Sequence, residues 1–251
     1  MSVSHCRLLF LLCLAAAAHR RRSNGPSTVI NDGDDIAALL LDRRLAMARG
    51  RYVSSFIAGM VASCLPPLML FLDSVVLSAV PSPTLDAFTI LLSEALPAVR
   101  RCRLLFRLGS PGTPATAAAF HSHCDRKGPT LTLIKDTDGN VFGGYTAVEW
   151  GSAADCEWLN DPAAFLFTVL NPHADPPALF PSKANGRSIY CYSSYGPFFG
   201  GDLWFTGVFD GVCYSHIGYR GYTNGTVHKG RTVLTGACRF TPAEVEVWGM
   251  E

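Results

Sequence analysis

The stretch from Cys124 to Thr146, CDRKGPTLTLIKDTDGNVFGGYT, constrains the fold more than any other part of this chain. Gly128-Pro129 ends whatever precedes it, because proline cannot continue a helix and glycine tolerates the sharp backbone turn. Thr130 to Lys135 is β-branched and apolar, which suits a strand. Asp138-Gly139 signals a two-residue hairpin turn, since the tight turns that match strand twist need residues at positive φ. Val141 to Thr146 then runs back. Such a turn pairs Ile134 with Gly143, Leu133 with Gly144 and Thr132 with Tyr145. Strand side chains alternate between faces. One face is therefore expected to carry Leu131, Leu133, Phe142 and Thr146, and the other Thr132, Ile134, Val141 and Tyr145. Both sets are partly apolar, which predicts a hairpin covered on both sides. Gly143-Gly144 marks a bulge or a close approach of backbone, because paired glycines otherwise weaken a strand.

Two ligand readings of this run fail on chemistry. Asp136-Thr137-Asp138-Gly139-Asn140 resembles the opening of a calcium loop, but that loop needs glycine at its sixth position and glutamate at its twelfth. Val141 and Ala147 stand there. A phosphate loop would need a helix start and Gly-Lys-Ser/Thr after Gly143-Gly144, and neither follows.

Composition favours a packed core. Of 251 residues, 49% are hydrophobic and only 16% charged, which argues against disorder. A net charge of +1 gives no general attraction to nucleic acid, and none is expected as a partner. The charge is uneven: residues 1–51 hold eight Lys/Arg against four Asp/Glu, and the remainder thirteen against sixteen. Nine cysteines (6, 13, 64, 102, 124, 156, 191, 213 and 238) include no Cys-x-x-Cys pair, against a zinc ribbon or a thioredoxin-type motif. They read as buried thiols acting as small hydrophobes.

Organisation changes near residue 71. Residues 8–18 form a short apolar run followed by basic residues 19–22, which reads either as a secretory or organellar leader or as an irregular start. A helix is expected over 36–47. Residues 53–72 lack a charged side chain, long enough to span a bilayer, though Pro66-Pro67 favours a buried helical hairpin or a segment packed on the main domain. Membrane association stays open on these grounds. Beyond this point short strands dominate. Strands are expected at 74–80, 103–108, 164–170, 188–192, 202–206 and 243–248. Helices are expected at 84–96, with Leu85, Phe88, Leu92 and Leu96 at helical spacing, and from a Thr113-Pro114 cap to Cys124.

From Phe71 to Glu251 the sequence resembles the TLDc domain, the family of the oxidation-resistance proteins. The resemblance rests on Phe71-Leu-Asp-Ser74, Leu104-Leu-Phe-Arg107, Phe120-His121 through Trp150-Gly151, Ala164-Phe-Leu-Phe167, Ile189-Tyr-Cys191, Tyr195-Gly-Pro197 with Phe199-Gly-Gly201, and Phe240 through Trp248, in that order. It implies an α+β fold: two antiparallel β-sheets packed as a sandwich with flanking helices. Residues 71–251 form that domain, behind an N-terminal extension at 1–70. The family-motif residues, expected to be structural, are Cys124, Asp125, Gly128, Pro129, Gly139, Gly143, Gly144, Tyr145, Trp150 and Trp248. The resemblance further implies a non-enzymatic protein-interaction module in oxidative-stress protection, with subunits of the vacuolar proton-pumping ATPase as partners and the cytoplasm as compartment.

Little else reads as chemistry. His121-Ser-His123-Cys124 is the densest set of metal-ligand types, but a structural zinc needs four ligands and helical spacing brings together only His121 and Cys124. The expectation is a helix end with one buried thiol and two surface imidazoles, and no metal or cofactor. Cys124 with His121 and Asp125 supplies the residue types of a thiol nucleophile. A peroxide-reactive thiol protein, or an enzyme using an exposed cysteine, is therefore the alternative to the interaction module. Glu149, Asp155 and Glu157 read as a solvated loop, and Asn224-Gly-Thr226 as a turn that matters for glycosylation only on the secretory route.

Overall fold

The expected hairpin forms, with a loop one residue longer than the Asp-Gly signal suggests. The computed structural model describes residues 71, 73–151, 157–207, 209, 212–224 and 230–251. The leader at 1–22, the helix expected at 36–47, the uncharged run at 53–72 except Phe71, Cys156 and Asp155 lie outside them. Along the described residues the elements run α1 (Val75–Ser78), α2 (Ser82–Ala95), β1 (Cys102–Arg107), α3 (Ala117–Cys124), β2 (Thr130–Asp136), β3 (Val141–Thr146), β4 (Glu157–Leu159) and β5 (Phe165–Leu170). They continue with β6 (Ala178–Pro181), β7 (Ile189–Cys191), β8 (Phe198–Phe199), β9 (Leu203–Trp204), β10 (Cys213–Ser215), β11 (Arg239–Phe240) and β12 (Pro242–Met250).

These strands build two six-stranded sheets, ordered β1-β12-β2-β3-β5-β6 and β11-β10-β9-β8-β7-β4, with antiparallel pairing throughout. The first sheet is apolar on both faces. Ile134, Phe142, Leu166, Val245 and Val247 turn toward Ile189, Phe199, Leu203 and Phe240 of the second sheet. Leu131, Leu133, Val141, Phe167 and Trp248 turn the other way, onto Val76 and Leu77 of α1 and Phe88 and Leu92 of α2. The order is thus α1 and α2, first sheet, second sheet, with α3 packed into the core between the sheets: the α+β sandwich that the resemblance implied. Among the described residues, no helix is long and apolar enough to cross a membrane.

Inside the hairpin, the register differs from the expected one. Leu133 pairs with Gly143 and Ile134 with Phe142. The loop is Thr137-Asp138-Gly139: Gly139 N–H donates to the Asp136 carbonyl at 3.1 Å, and Gly139 takes φ +87°, the left-handed residue that closes a three-residue hairpin. Asp136 decides the matter. Its buried carboxylate accepts from the N–H groups of Asp138 and Asn140 at 3.0 and 2.8 Å and from Asn140 Nδ2 at 2.7 Å, locking an Asx turn. A slip of one residue moves the returning strand to the opposite faces. Val141 and Tyr145 therefore join Leu131 and Leu133 under the helices, while Phe142 faces the second sheet with Ile134.

Two helix starts also differ. Ser74 to Val80 is not a strand. Ser74 Oγ accepts from Leu77 N–H at 3.1 Å and caps α1, so a good N-cap outweighs the β-branched Val75-Val76 pair. The third helix begins after Thr116, whose side chain accepts from Ala119 N–H at 3.2 Å. Thr113 instead donates its N–H to Ser110 O within the preceding turn. The strands near 103–108, 164–170, 188–192, 202–206 and 243–248 form, several of them shorter than expected. Short β4, β6, β8, β10 and β11 were not foreseen.

Candidate functional site

The motif residues lie at the α3–β2 turn, along the hairpin and in β12. Gly128 turns at φ +74°. The Pro129 carbonyl accepts from Met250 N–H at 2.9 Å, and Arg126 N–H donates to the Trp150 carbonyl at 3.1 Å. Trp150 is buried between Phe120 and Phe199, with ring centroids at 5.5 and 5.3 Å, and its indole N–H donates to Thr130 Oγ1 at 2.8 Å. Tyr145 stacks on Phe165 at 5.1 Å, and Trp248 meets Phe71 edge-on at 5.3 Å. Gly144 lies where a side chain would strike Leu166 and Phe199.

His121 is not at the surface. It is buried, with Nδ1 2.8 Å from Asp125 Oδ1 and Nε2 3.1 and 3.0 Å from the carbonyl oxygens of Tyr192 and Tyr195. All three neighbours are acceptors, so the ring donates to both sides only when both nitrogens carry hydrogen. Helical spacing aims it back at the Asp125 cap, and the long-range contact to the Tyr192–Tyr195 turn is one that no local pattern announces. His123 stays exposed, as expected. Cys124 is fully buried in the inter-sheet core, and its thiol is pushed well above the ordinary value, first by burial and then by the Asp125 charge. A buried, protonated thiol is a poor nucleophile. Burial also pushes Cys213 up to about 12 and Cys102 up to about 12. Cys238 is exposed. Among the described residues no group of three or more His, Cys, Asp or Glu could hold a metal ion. Timed alkylation of the folded protein, read residue by residue by mass spectrometry, is expected to modify Cys238 before Cys124, Cys191 and Cys213. Early modification of Cys124 would overturn this assignment.

The second sheet presents a different kind of site. Along its strands, period-two alternation sends Leu159, Ile189, Phe199, Leu203 and Phe240 into the core. The opposite face carries Trp158, Tyr190, Phe198, Trp204, Tyr214 and Arg239, one from each strand. Cross-strand pairing sets Trp158 against Tyr190, Phe198 against Trp204, and Tyr214 between Trp204 and Arg239. Neighbouring rings lie 4.6, 5.1, 5.6 and 4.6 Å apart from Trp158 to Tyr214. Arg187 lies over Trp158 at one end and Arg239 over Tyr214 at the other, each 5.6 Å from the ring centroid. Tyr195 extends the row beside Phe198 at 5.5 Å, held by the turn that His121 ties down. The five rings are half-buried. Each ring pair adds about 0.5–1.5 kcal/mol beyond its area burial, so the rings hold one another in place.

The buried carboxylate of Asp202 holds the loop beside this row. It accepts from Tyr219, Arg220 and Gly221 N–H at 2.7, 3.1 and 2.6 Å, and burial raises its pKa despite those bonds. Sequence reading missed the row because β4, β8, β10 and β11 are too short to show periodicity. The available signal was the spacing of aromatics in Tyr190-Cys-Tyr192 and of Phe198 and Trp204 around glycine turns.

Two packed six-stranded sheets, with α1 and α2 on the outer face of the first and an aromatic row on the outer face of the second, define an α+β sandwich domain. The chain belongs to the TLDc domain family, whose sequence pattern matches residues 87–251, more than half of it. A 74-residue stretch is 34% identical to the MTOR-associated protein MEAK7 of Gallus gallus, covering 30% of this chain and 12% of that protein. A 47-residue stretch is 38% identical to the protein of the same name from Danio rerio, covering 19% and 10%. The chain thus matches about a tenth of the length of these curated relatives.

Proposed function

We propose that this chain is a TLDc-type protein-interaction module that acts without chemistry of its own, in oxidative-stress protection or in regulation of the vacuolar proton-pumping ATPase. Residues 71–251 are its domain and 1–70 an extension, and the cytoplasm is its compartment. The observation that carries the reading is the aromatic row on the outer face of the second sheet. The first sheet has apolar neighbours on both faces, whereas the second presents half-buried rings outward. Tyrosine and tryptophan with arginine are the residue types that dominate binding hot spots. The relatives' name, MTOR-associated, describes association with another protein and is compatible with this role.

Affinity purification of the full chain tests it. Wild type is expected to retain partners that a Trp158→Ser/Trp204→Ser variant loses, while circular dichroism and thermal melting confirm that the variant is folded. Subunits of the proton pump among the lost partners support the ATPase role. An unchanged partner set would overturn the assignment of this face.

A further inference from the structure

We propose that the outer face of the second sheet binds an acidic peptide segment of its partner. The inference rests on the interaction-module reading and adds the chemistry of what is bound. It starts from how the rings stand. The planes of Trp204 and Tyr214 are 8° apart at 4.6 Å, and those of Phe198 and Trp204 are 22° apart. That spacing is close to the distance between neighbouring strands, so these rings stand on edge with their faces against one another. A ring's face is negative and its edge positive. From Phe198 through Trp204 to Tyr214 the solvent side is therefore a line of positive ring edges, to which Trp204 adds an N–H donor and Tyr214 a hydroxyl, while Trp158 and Tyr190 are tilted at 41° to each other.

The arginines around the row point the same way. Arg187 and Arg239 stand at its ends. His216 lies 5.9 Å from Trp204 and 5.9 Å from Tyr219, whose exposed ring in turn carries Arg220 and Arg231 at 4.9 and 5.4 Å. Among the described residues none of these four arginines pairs with a carboxylate; the ion pairs there are Arg107–Glu246, His121–Asp125 and Lys135–Glu244. Nor does the row's own face carry a described Asp or Glu. Glu157 alternates to the other side of β4 from Trp158, and Asp161 and Asp202 are buried in backbone hydrogen bonds. A surface of positive edges, donors and unpaired guanidinium groups is complementary to carboxylates on an apolar-tolerant backbone. Single-stranded nucleic acid shares the negative charge, but it binds by stacking bases on open ring faces, and here the stacked rings occupy one another's.

The probe is a fluorescein-labelled peptide alternating glutamate and serine, with the glutamine-for-glutamate peptide and a labelled single-stranded oligonucleotide as controls, each titrated against the full chain by fluorescence anisotropy. The glutamate peptide is expected to bind, to weaken as salt rises, and to lose about tenfold in affinity with Arg187→Ala/Arg239→Ala, two exposed positions, with circular dichroism and thermal melting of the variant matching wild type. No binding of the glutamate peptide, equal binding of the glutamine peptide, tighter binding of the oligonucleotide, or an unchanged affinity for the double variant would each overturn the acidic-segment inference. The partner-retention experiment above separates that failure from the wider one. If partners still depend on Trp158 and Trp204, the face binds protein of other chemistry; if they do not, the interaction reading fails as well.

Discussion

Replacing Gly143 with alanine is expected to leave the domain largely unfolded. Gly143 sits in the middle of the first sheet, between Leu133 of β2 and Phe167 of β5. A Cβ built there collides with the backbone carbonyl oxygen of Thr132 and lies 2.7 Å from the Phe167 ring. The carbonyl belongs to a strand whose residues are buried on both faces, so it cannot move aside without dragging the sheet. Losses above about 4 kcal/mol are exceptional for single substitutions and arise from clashes of this kind. That figure is a large part of the total stability of an ordinary domain. Gly151→Ala is the control, since a Cβ there meets nothing within 4 Å. Thermal melts of both variants check the expectation. A Gly143→Ala protein that melts with wild type would show that β2 and β3 separate more readily than their packing implies.

The second large effect is expected at Glu246, whose carboxylate is fully buried in β12. Four groups converge on it: Ser74 Oγ and the Trp248 indole N–H at 2.6 and 3.2 Å on one oxygen, Val75 N–H and the Arg107 guanidinium, each at 2.9 Å, on the other. The carboxylate thereby fastens the start of α1 to the central strand of the first sheet. Removing one partner of a buried ion pair typically costs about 3–5 kcal/mol. The Arg107 side chain is 27% exposed and can turn toward water, which places Glu246→Ala near the lower end, about 3 kcal/mol. The variant is also expected to free the segment around Phe71 to Val80, seen as new cleavage before residue 81 in limited proteolysis. Native-like melting with no new cleavage would contradict this role.

Much of the scaffold was legible before any coordinates. The Gly143-Gly144 pair marks a close backbone approach because only a missing side chain lets Thr132 and Phe167 come so near. The apolar character of both hairpin faces predicts a strand pair covered on each side, and layers on each side cover it. The register was not legible. An Asp-Gly dipeptide favours a two-residue turn, and the competing Asx turn of Asp136 wins through three hydrogen bonds that propensity does not count. Ser74 misled for a related reason: its neighbours are β-branched, but its hydroxyl both caps α1 and reaches Glu246, 172 positions away.

The candidate site was hidden more deeply. A helix end carrying two histidines, His121 and His123, reads as solvated, so local sequence puts both at the surface. His121 is buried by the Tyr192–Tyr195 turn, more than seventy residues downstream.

By itself the sequence determined the family, the two-faced hairpin, the buried thiol at Cys124 and the glycine positions where backbone must approach backbone. These depend on residues close together in the chain, where local sterics and alternation leave few choices. Only the tertiary structure decided the hairpin register, the burial of His121 and the row from Arg187 to Arg239. Its rings come one from each of the short strands β4, β7, β8, β9 and β10, none long enough to show a pattern, and become a continuous row only when cross-strand pairing sets them side by side.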